Sequence, residues 1–277
     1  MTVMLRLLLV AVVLVAAIAT AWSYPTLYGD TGLVLMPTAD VIPDTYVTLA
    51  GNYAEVKSDA GGRAIIFPVR ILYGASDNTE LFVLGAESST KTEEGGFDVL
   101  GAGFKVALIH ESLVTDLPGI SIGTRVYQTQ GAIDKRVIDA YLVGSKTIFK
   151  TSDLLDEEGY TFRIHLAGFF SRYTGDLGDE NFYSAAAGLS YNNFNGTQVV
   201  LDFLPELTSN DITFRKSALS FALRRPLSEE FIIEAGTTQP FGEGSGGKLY
   251  AGLIYLWGVR ETPHSRKPRI DSGTLGY

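Results

Sequence analysis

Histidine, serine and aspartate residues in the middle of the chain are the side chains whose chemistry could be catalytic. His165, Ser190 and Asp202 could meet across neighbouring β-strands as a hydrolytic set. The sequence has three histidines, His110, His165 and His264, of which no two have metal-ligand spacing, and it has no cysteine. We expect His165 to lie on the polar face of its strand, bonded within a polar network. We therefore predict no metal, no cofactor and no enzymatic activity, and we keep an outer-membrane lipid or glycan hydrolase as an alternative.

A glycine-rich stretch near the C-terminus matches the spacing of a phosphate-binding loop. The residues "GEGSGGK" (242–248) fit G-x-x-x-x-G-K, but such a loop needs Ser or Thr next and a helix N-terminus that faces the phosphate. Leu249 follows instead, and the residues after it alternate as a β-strand does. We therefore interpret this stretch as a glycine-rich hairpin loop.

Charged side chains recur at positions that would share the inner face of a barrel. Charges inside a low-dielectric shell must pair or be hydrated, so they indicate either ion-paired packing of the wall or a cationic passage that attracts anions such as acidic sugars. The net charge of −9 argues against a nucleic-acid partner. We predict that the lumen is lined by Arg70, Lys105, Arg125, Lys146, Arg163, Asp202, Lys216, Arg224 and Glu234.

The elements that would position these charges are β-strands, because period-2 alternation recurs along the chain. In 159–172, Phe162 and Leu166 share one face, whereas Arg163 and His165 share the other. About twelve such candidates follow one another, and most are long enough to cross a bilayer at a tilt. They are roughly 44–56, 63–73, 79–87, 97–109, 119–129, 137–149, 159–172, 182–192, 197–205, 213–224, 230–238 and 248–257.

Alternation alone fits both a lipid-facing barrel and a soluble sandwich. The strand candidates are longer than the usual globular strand of about five or six residues. Gly, Ala and Ser accompany the charges on the polar face, which suits a crowded lumen. A bilayer admits only helices or closed barrels. We predict an all-β fold, a closed antiparallel transmembrane β-barrel of about twelve strands, with a soluble periplasmic β-sandwich that binds a ligand as the alternative.

The first residues have the pattern of a cleaved secretory signal. An apolar run extends from Leu7 to Ala19 and ends in an A-x-A site, Ala19-Thr20-Ala21. This run is shorter than the ~20 residues that a spanning helix needs. We predict a signal peptide at 1–21, a periplasmic lead-in or plug segment at 22–43, a barrel at 44–257 and a periplasmic tail at 258–277.

Residues 248–257, "KLYAGLIYLW", resemble the closing strand of bacterial outer-membrane barrels. The residues that fit that signature are Tyr250, Gly252, Tyr255 and Trp257. The resemblance implies recognition by the barrel-insertion machinery. Such signals usually end a chain, whereas here a Pro- and Arg-containing tail follows.

Residues 28–56 resemble the opening of YjbH-like outer-membrane proteins, which are linked to exopolysaccharide or capsule production. The shared pattern is carried by Gly32, Leu33, Pro37, Thr38 and Ala39, followed by Asp44 and Gly51. The resemblance covers about thirty residues, and members of this family are often much longer. It implies a role in exopolysaccharide export.

These features together predict a non-enzymatic barrel of the bacterial outer membrane that is exported through a cleaved signal peptide. Its expected partners are outer-membrane lipid, the barrel-insertion machinery and polysaccharide or export-system proteins. Its expected role is in exopolysaccharide or capsule export, or as a small pore or scaffold.

Overall fold

The computed structural model describes most of the chain between Tyr24 and Gly258. The described residues are 24–57, 63–90, 97–112, 116–131, 134–151, 160–176, 178–193, 195–209, 212–215, 217–240 and 248–258. The predicted signal peptide, residues 259–277 of the predicted tail and most of the glycine-rich loop at 242–248 lie outside them.

Long strands with short connections make up the described part of the fold. No helix among these residues is long and apolar enough to span a membrane. The strands are β1 (Tyr46–Lys57), β2 (Arg63–Ser76), β3 (Thr79–Thr90), β4 (Phe97–Ile109), β5 (Gly119–Gly131), β6 (Lys135–Lys150), β7 (Thr161–Gly175), β8 (Glu180–Asn192), β9 (Gln198–Leu204), β10 (Leu207–Ser209), β11 (Ile212–Arg215), β12 (Ala218–Pro226), β13 (Phe231–Pro240) and β14 (Lys248–Gly258).

Twelve of these strands close into one antiparallel barrel in the order β1-β14-β13-β12-β9-β8-β7-β6-β5-β4-β3-β2. Closure is made by β1 and β14, which pair in register from Tyr46↔Gly258 to Val56↔Lys248. The predicted fold class is therefore confirmed, and a two-sheet sandwich is excluded. Closure leaves no free sheet edge, which a bilayer would not tolerate.

Side chains alternate between a lipid-type outer face and a polar inner face. On β7 the inner residues Arg163 and His165 are buried. Leu166, the next residue along the strand, points outward and is 62% exposed. Leu100 and Leu249 are 72% and 68% exposed on other strands. A water-soluble β-protein places its apolar face inside, so this barrel has the reverse arrangement, which suits an apolar solvent.

The barrel has two rims, named here by the chain ends. At the N-terminal rim β1 begins and β14 ends, and the connections after β2, β4, β6, β8 and β12 turn there. At the far rim lie the connections after β1, β3, β5, β7, β9 and β13.

A strand predicted at 213–224 is divided in the structure. Only β12 joins the barrel wall, whereas β11 pairs with β10 in a separate two-stranded hairpin at the far rim. Leu207 of this hairpin is buried against Tyr127, Val137 and Tyr173 of the wall. The alternating pattern continues through both pieces, so periodicity could not reveal that Leu207 anchors a local hairpin over the barrel mouth.

Candidate functional site

Residues 24–43, called the plug segment here, occupy the barrel lumen. The segment packs Tyr24 against Ile232, Ile254 and Leu256, close to the N-terminal rim. It then runs into the barrel, returns to the same rim and joins β1 at Tyr46. Its buried residues include Thr26, Asp30, Thr31, Leu33, Val34, Met36, Thr38, Ala39 and Ile42.

The plug segment has a compact fold of its own. Hydrogen bonds join Leu27 N to Val34 O (2.7 Å) and Leu33 N to Met36 O (2.9 Å). Gly32 lies at the tightest point, because a Cβ there would collide with the Met36 carbonyl and with Pro37 Cα. The residues that resemble the YjbH-like opening therefore form a turn inside the lumen.

Asp202 of β9 holds the middle of the plug segment. Its Oδ2 accepts three backbone N–H groups, from Val34 (2.9 Å), Leu35 (2.7 Å) and Met36 (3.1 Å). The side chain is fully buried. A buried carboxylate is stable only when donors compensate for its lost water, and here the plug backbone supplies them.

Glu80 and Lys105 form a second anchor from β3 and β4. They are joined by an ion pair at 3.1 Å, with both side chains at 0% exposure. Glu80 accepts the Thr31 N–H (2.9 Å) and the Ile42 N–H (3.1 Å). Lys105 donates to the carbonyls of Thr31 (2.9 Å) and Thr38 (3.1 Å). The pair thus binds both the inward and the returning halves of the plug segment.

Two arginines on β12 and β2, the strands next to those of the two anchors, donate to plug carbonyls. Arg224 of β12 donates to Gly32 O (2.9 Å) and Leu33 O (2.6 Å), and its Nε pairs with Glu234 of β13. Arg70 of β2 donates to Thr26 O at 2.6 Å. Because a guanidinium carries five donors, each arginine can bind the wall and the plug backbone together.

Arg125 of β5 lies within an aromatic enclosure. It pairs with Asp139 of the wall (3.0 Å) and with Asp30 of the plug segment (3.5 Å). Its guanidinium carbon is 4.7 Å from the ring centroid of Tyr28 and 5.4–5.8 Å from the centroids of Tyr127, Tyr141 and Phe169. These distances are within the range of cation–π attraction.

His165 stands between two serines on the inner wall. Its Nδ1 is 2.8 Å from Ser145 Oγ, and its Nε2 is 3.0 Å from Ser190 Oγ. Ser145 Oγ in turn accepts the Ala39 N–H at 2.8 Å. Of the residues considered as a possible hydrolytic set, His165 and Ser190 are therefore in contact, whereas Asp202 binds the plug backbone and does not join them. His165 is instead part of the network that holds the plug segment, as expected of a histidine on the polar face.

An ion-pair cluster fixes the returning end of the plug segment at the N-terminal rim. Arg163 binds Asp40 through both carboxylate oxygens (2.6 and 2.9 Å) and also binds Glu111 at 2.9 Å. Burial works against the charged form of Asp40, but the Arg163 guanidinium outweighs it and lowers the Asp40 pKa from 3.8 to about 2.

Seven of the nine predicted lining residues are buried side chains that face the lumen. They are Arg70, Lys105, Arg125, Arg163, Asp202, Arg224 and Glu234. Lys146 is a correction: it follows the inward Ser145, so strand alternation directs it outward, where it pairs with Asp116. Lys216 lies outside the described residues.

The sequence pattern did not indicate that the plug segment binds these charges, and two acidic members of the lining were not predicted. Glu80 and Asp139 are both buried on the inner face. Their positions alternate with the outward Leu81 and Ala140, so the period-2 pattern could have identified them.

The closing-strand residues lie on both faces of β14. Tyr250 is buried in the lumen, whereas Trp257 is 60% exposed on the outer face. A Cβ on Gly252 would collide with the Asn52 side chain, so glycine admits that neighbour from β1. Tyr255 is on the outer face with Trp257 and lies 4.8 Å from the Phe231 ring, between centroids.

Among the described residues, no group of three or more His, Cys, Asp or Glu side chains is placed to hold a metal ion.

Solved structures provide the comparison, since no protein-family model and no curated protein matches the sequence. A structure of the KdgM porin aligns with 75% of this chain and 98% of its own, at 9% identity and a TM-score of 0.51. An outer-membrane channel from Pseudomonas putida F1 aligns with 79% of this chain and 98% of its own, at 12% identity and a TM-score of 0.51. The chain therefore has the fold of outer-membrane β-barrels.

Proposed function

We propose that the protein is a channel of the bacterial outer membrane that its own plug segment holds closed. The plug segment enters from the N-terminal rim, which we assign to the periplasm. The observation that carries the proposal is the chemistry of the plug–wall contact. Charged side chains of the wall bind the plug backbone, and water can hydrate these groups in a lumen without the plug segment. Apolar wall residues that pack on Leu33, Val34, Met36 and Ile42 lie between them.

The polar contact favours a removable plug over a permanent filling. Apolar side chains would fill a static barrel at least as stably, because a buried ion pair gains little over a hydrophobic replacement. Arg224, Arg70 and Lys105 donate to plug carbonyls that are equally able to bind water. Each contact can thus be exchanged for hydration when the segment leaves, at a modest net free energy.

The size of the barrel is consistent with this role. Barrels of about eight strands are filled by their own side chains, whereas barrels of 16–18 strands leave an aqueous channel. Twelve strands lie between these cases and leave room for one folded segment. A porin and a channel are among the solved structures with a similar fold, which supports a small-pore role.

Single-channel recording in planar bilayers tests the proposal on the full-length protein. Asp202→Asn weakens the three bonds to the plug backbone and should produce opening events that the wild type shows rarely. In a second variant, Leu33→Cys and Gly188→Cys are added, because the Leu33 side chain fills the space where a Cβ on Gly188 would stand. The chain has no other cysteine.

The disulfide should close the channel, and a reductant should reopen it. Heat-modifiable gel mobility and the mass of the linked peptides establish that each variant is folded and cross-linked. In one outcome, the plug amides of the Asp202→Asn protein exchange faster with solvent, but the protein never conducts. That outcome would show that the barrel is a closed scaffold and would refute the channel.

A role in exopolysaccharide export is a second candidate, and the resemblance of residues 28–56 to YjbH-like proteins favours it. Five of the residues that carry the resemblance form the plug turn: Gly32, Leu33, Pro37, Thr38 and Ala39. Deletion of the gene in its host should lower secreted polysaccharide, and re-expression should restore it. Unchanged secretion would count against this role and leave the channel proposal intact.

A further inference from the structure

The surroundings of Arg125 are unlike those of the other lumen arginines. Three of the four rings around its guanidinium belong to the wall: Tyr127, Tyr141 and Phe169. The fourth, Tyr28, belongs to the plug segment and is the nearest, at 4.7 Å. Removal of the plug segment would leave a cation set among three wall rings.

The plug segment fills this enclosure with one ring and one carboxylate. The Tyr28 ring lies over the guanidinium and 5.5 Å from the Tyr127 ring, between centroids. Asp30, two residues later, directs Oδ2 to Arg125 Nη1 at 3.5 Å. Asp139 already binds the Nε edge, so the two terminal nitrogens are the donors that an incoming acid would meet.

The wall continues the same pattern towards the far rim. Tyr173 and Phe182 are in edge contact at 5.6 Å, and Lys135 Nζ lies 5.9 Å from the Tyr173 ring. Leu207 of the far-rim hairpin covers this end. Tyr173 and Tyr127 belong to one buried cluster, so rings and cations follow one another along the wall from the far rim to Arg125.

We propose that this strip binds a sugar acid when the plug segment withdraws; the strip consists of Lys135, Tyr173, Tyr127, Arg125 and Phe169. In the closed barrel, Tyr28 occupies the place of the sugar ring and Asp30 occupies the place of the sugar carboxylate. The inference rests on the proposed channel function and names its substrate class. The C–H face of a pyranose packs on aromatic rings, while a carboxylate pairs with a guanidinium. A neutral sugar lacks the acid, and inorganic phosphate makes no use of the rings.

Calorimetric titration of full-length Asp202→Asn protein with trigalacturonate and maltotriose tests the inference. Trigalacturonate should bind at least about tenfold more tightly, because the neutral sugar loses the charge-assisted pair. Binding should disappear in the oxidised Asp202→Asn, Leu33→Cys, Gly188→Cys protein and return on reduction, because ligand and plug segment compete for one place.

Two arginine variants in the Asp202→Asn background separate this strip from the general charge of the lumen. Arg125→Lys keeps the charge but loses the planar fork, and it should weaken trigalacturonate binding about tenfold. Arg70→Lys is the matched control, since Arg70 is equally buried and also contacts the plug segment. It should not weaken trigalacturonate binding, because the loss of a plug contact away from the strip can only favour the competing ligand.

A second full-length variant tests the site without plug release. Y28A/D30A removes the ring and the carboxylate and should take up galacturonate in preference to galactose. Equal binding of acidic and neutral sugars in both backgrounds, or undiminished binding to the oxidised protein, would overturn the inference. Conductance of Asp202→Asn protein is measured separately, so a conducting barrel without acid preference would refute this inference alone.

Discussion

Replacement of Asp202 by Asn should loosen the plug segment by an amount that can be worked out from its contacts. Oδ2 accepts three N–H groups, at 2.9, 2.7 and 3.1 Å. A hydrogen bond to a charged group contributes about 1.5–3 kcal/mol, against about 0.5–1.5 kcal/mol for a neutral one. Loss of the charge therefore costs about 1 kcal/mol per bond, or about 3 kcal/mol in total.

Desolvation offsets part of this loss. Asp202 is fully buried when the plug segment is seated, so docking removes water from the carboxylate at a cost that the amide of Asn largely avoids. We expect a net weakening of about 1.4–2.8 kcal/mol, which corresponds to about a ten- to hundredfold larger fraction of released plug segment.

Backbone hydrogen exchange measures this fraction directly, because the amides of Val34, Leu35 and Met36 are the donors. Exchange read by mass spectrometry should accelerate about ten- to hundredfold in the plug peptide, since protection reports the free energy of local opening. Peptides from the wall strands should be unchanged. Asp98→Asn, at an exposed site, is the matched control. Plug amides that exchange at the wild-type rate in Asp202→Asn would refute the assignment of Asp202 as the anchor.

Three further predictions address the plug turn, pH and the outer face. Gly32→Ala should unseat the plug segment, because its Cβ meets the Met36 carbonyl; plug amides should lose protection while the heat-modifiable mobility of the barrel stays normal. The Asp40–Arg163 pair should hold the plug segment from pH 7 to about pH 4 and weaken only towards pH 2. The reason is that the folded-state pKa of Asp40 is lowered to about 2, and the stabilisation is lost as pH falls through that value. Hydrogen exchange of the plug amides, corrected for intrinsic rates, should show this pH dependence, and release already at pH 5 would contradict it. Leu253→Arg should destabilise the barrel in lipid by about 2–4 kcal/mol if Leu253 lies near the bilayer midplane, as reversible unfolding in liposomes would measure; an unchanged unfolding free energy would mean that this face does not meet acyl chains.

The sequence by itself determined the wall of this protein. Period-2 alternation located the barrel strands to within a few residues, with the exception of the piece now in β11, and it assigned Arg163 and His165 to the inner face. The reason is local: successive side chains of a strand point to opposite sides. Lys146 was assigned to the inner face wrongly, because a shift of one residue along a strand moves a side chain to the other face of the sheet.

The tertiary structure alone decided what the inner charges bind. Asp202 meets the amides of residues 34–36 at a separation of 166–168 positions, and Arg224 meets Gly32 O at a separation of 192. No periodicity relates positions so far apart, and the partner atoms are backbone groups that every residue carries. A charged residue predicted to face the interior must have a compensating partner, but the sequence does not identify it. The folded chain shows that the partner is the plug segment, which lies inside the barrel.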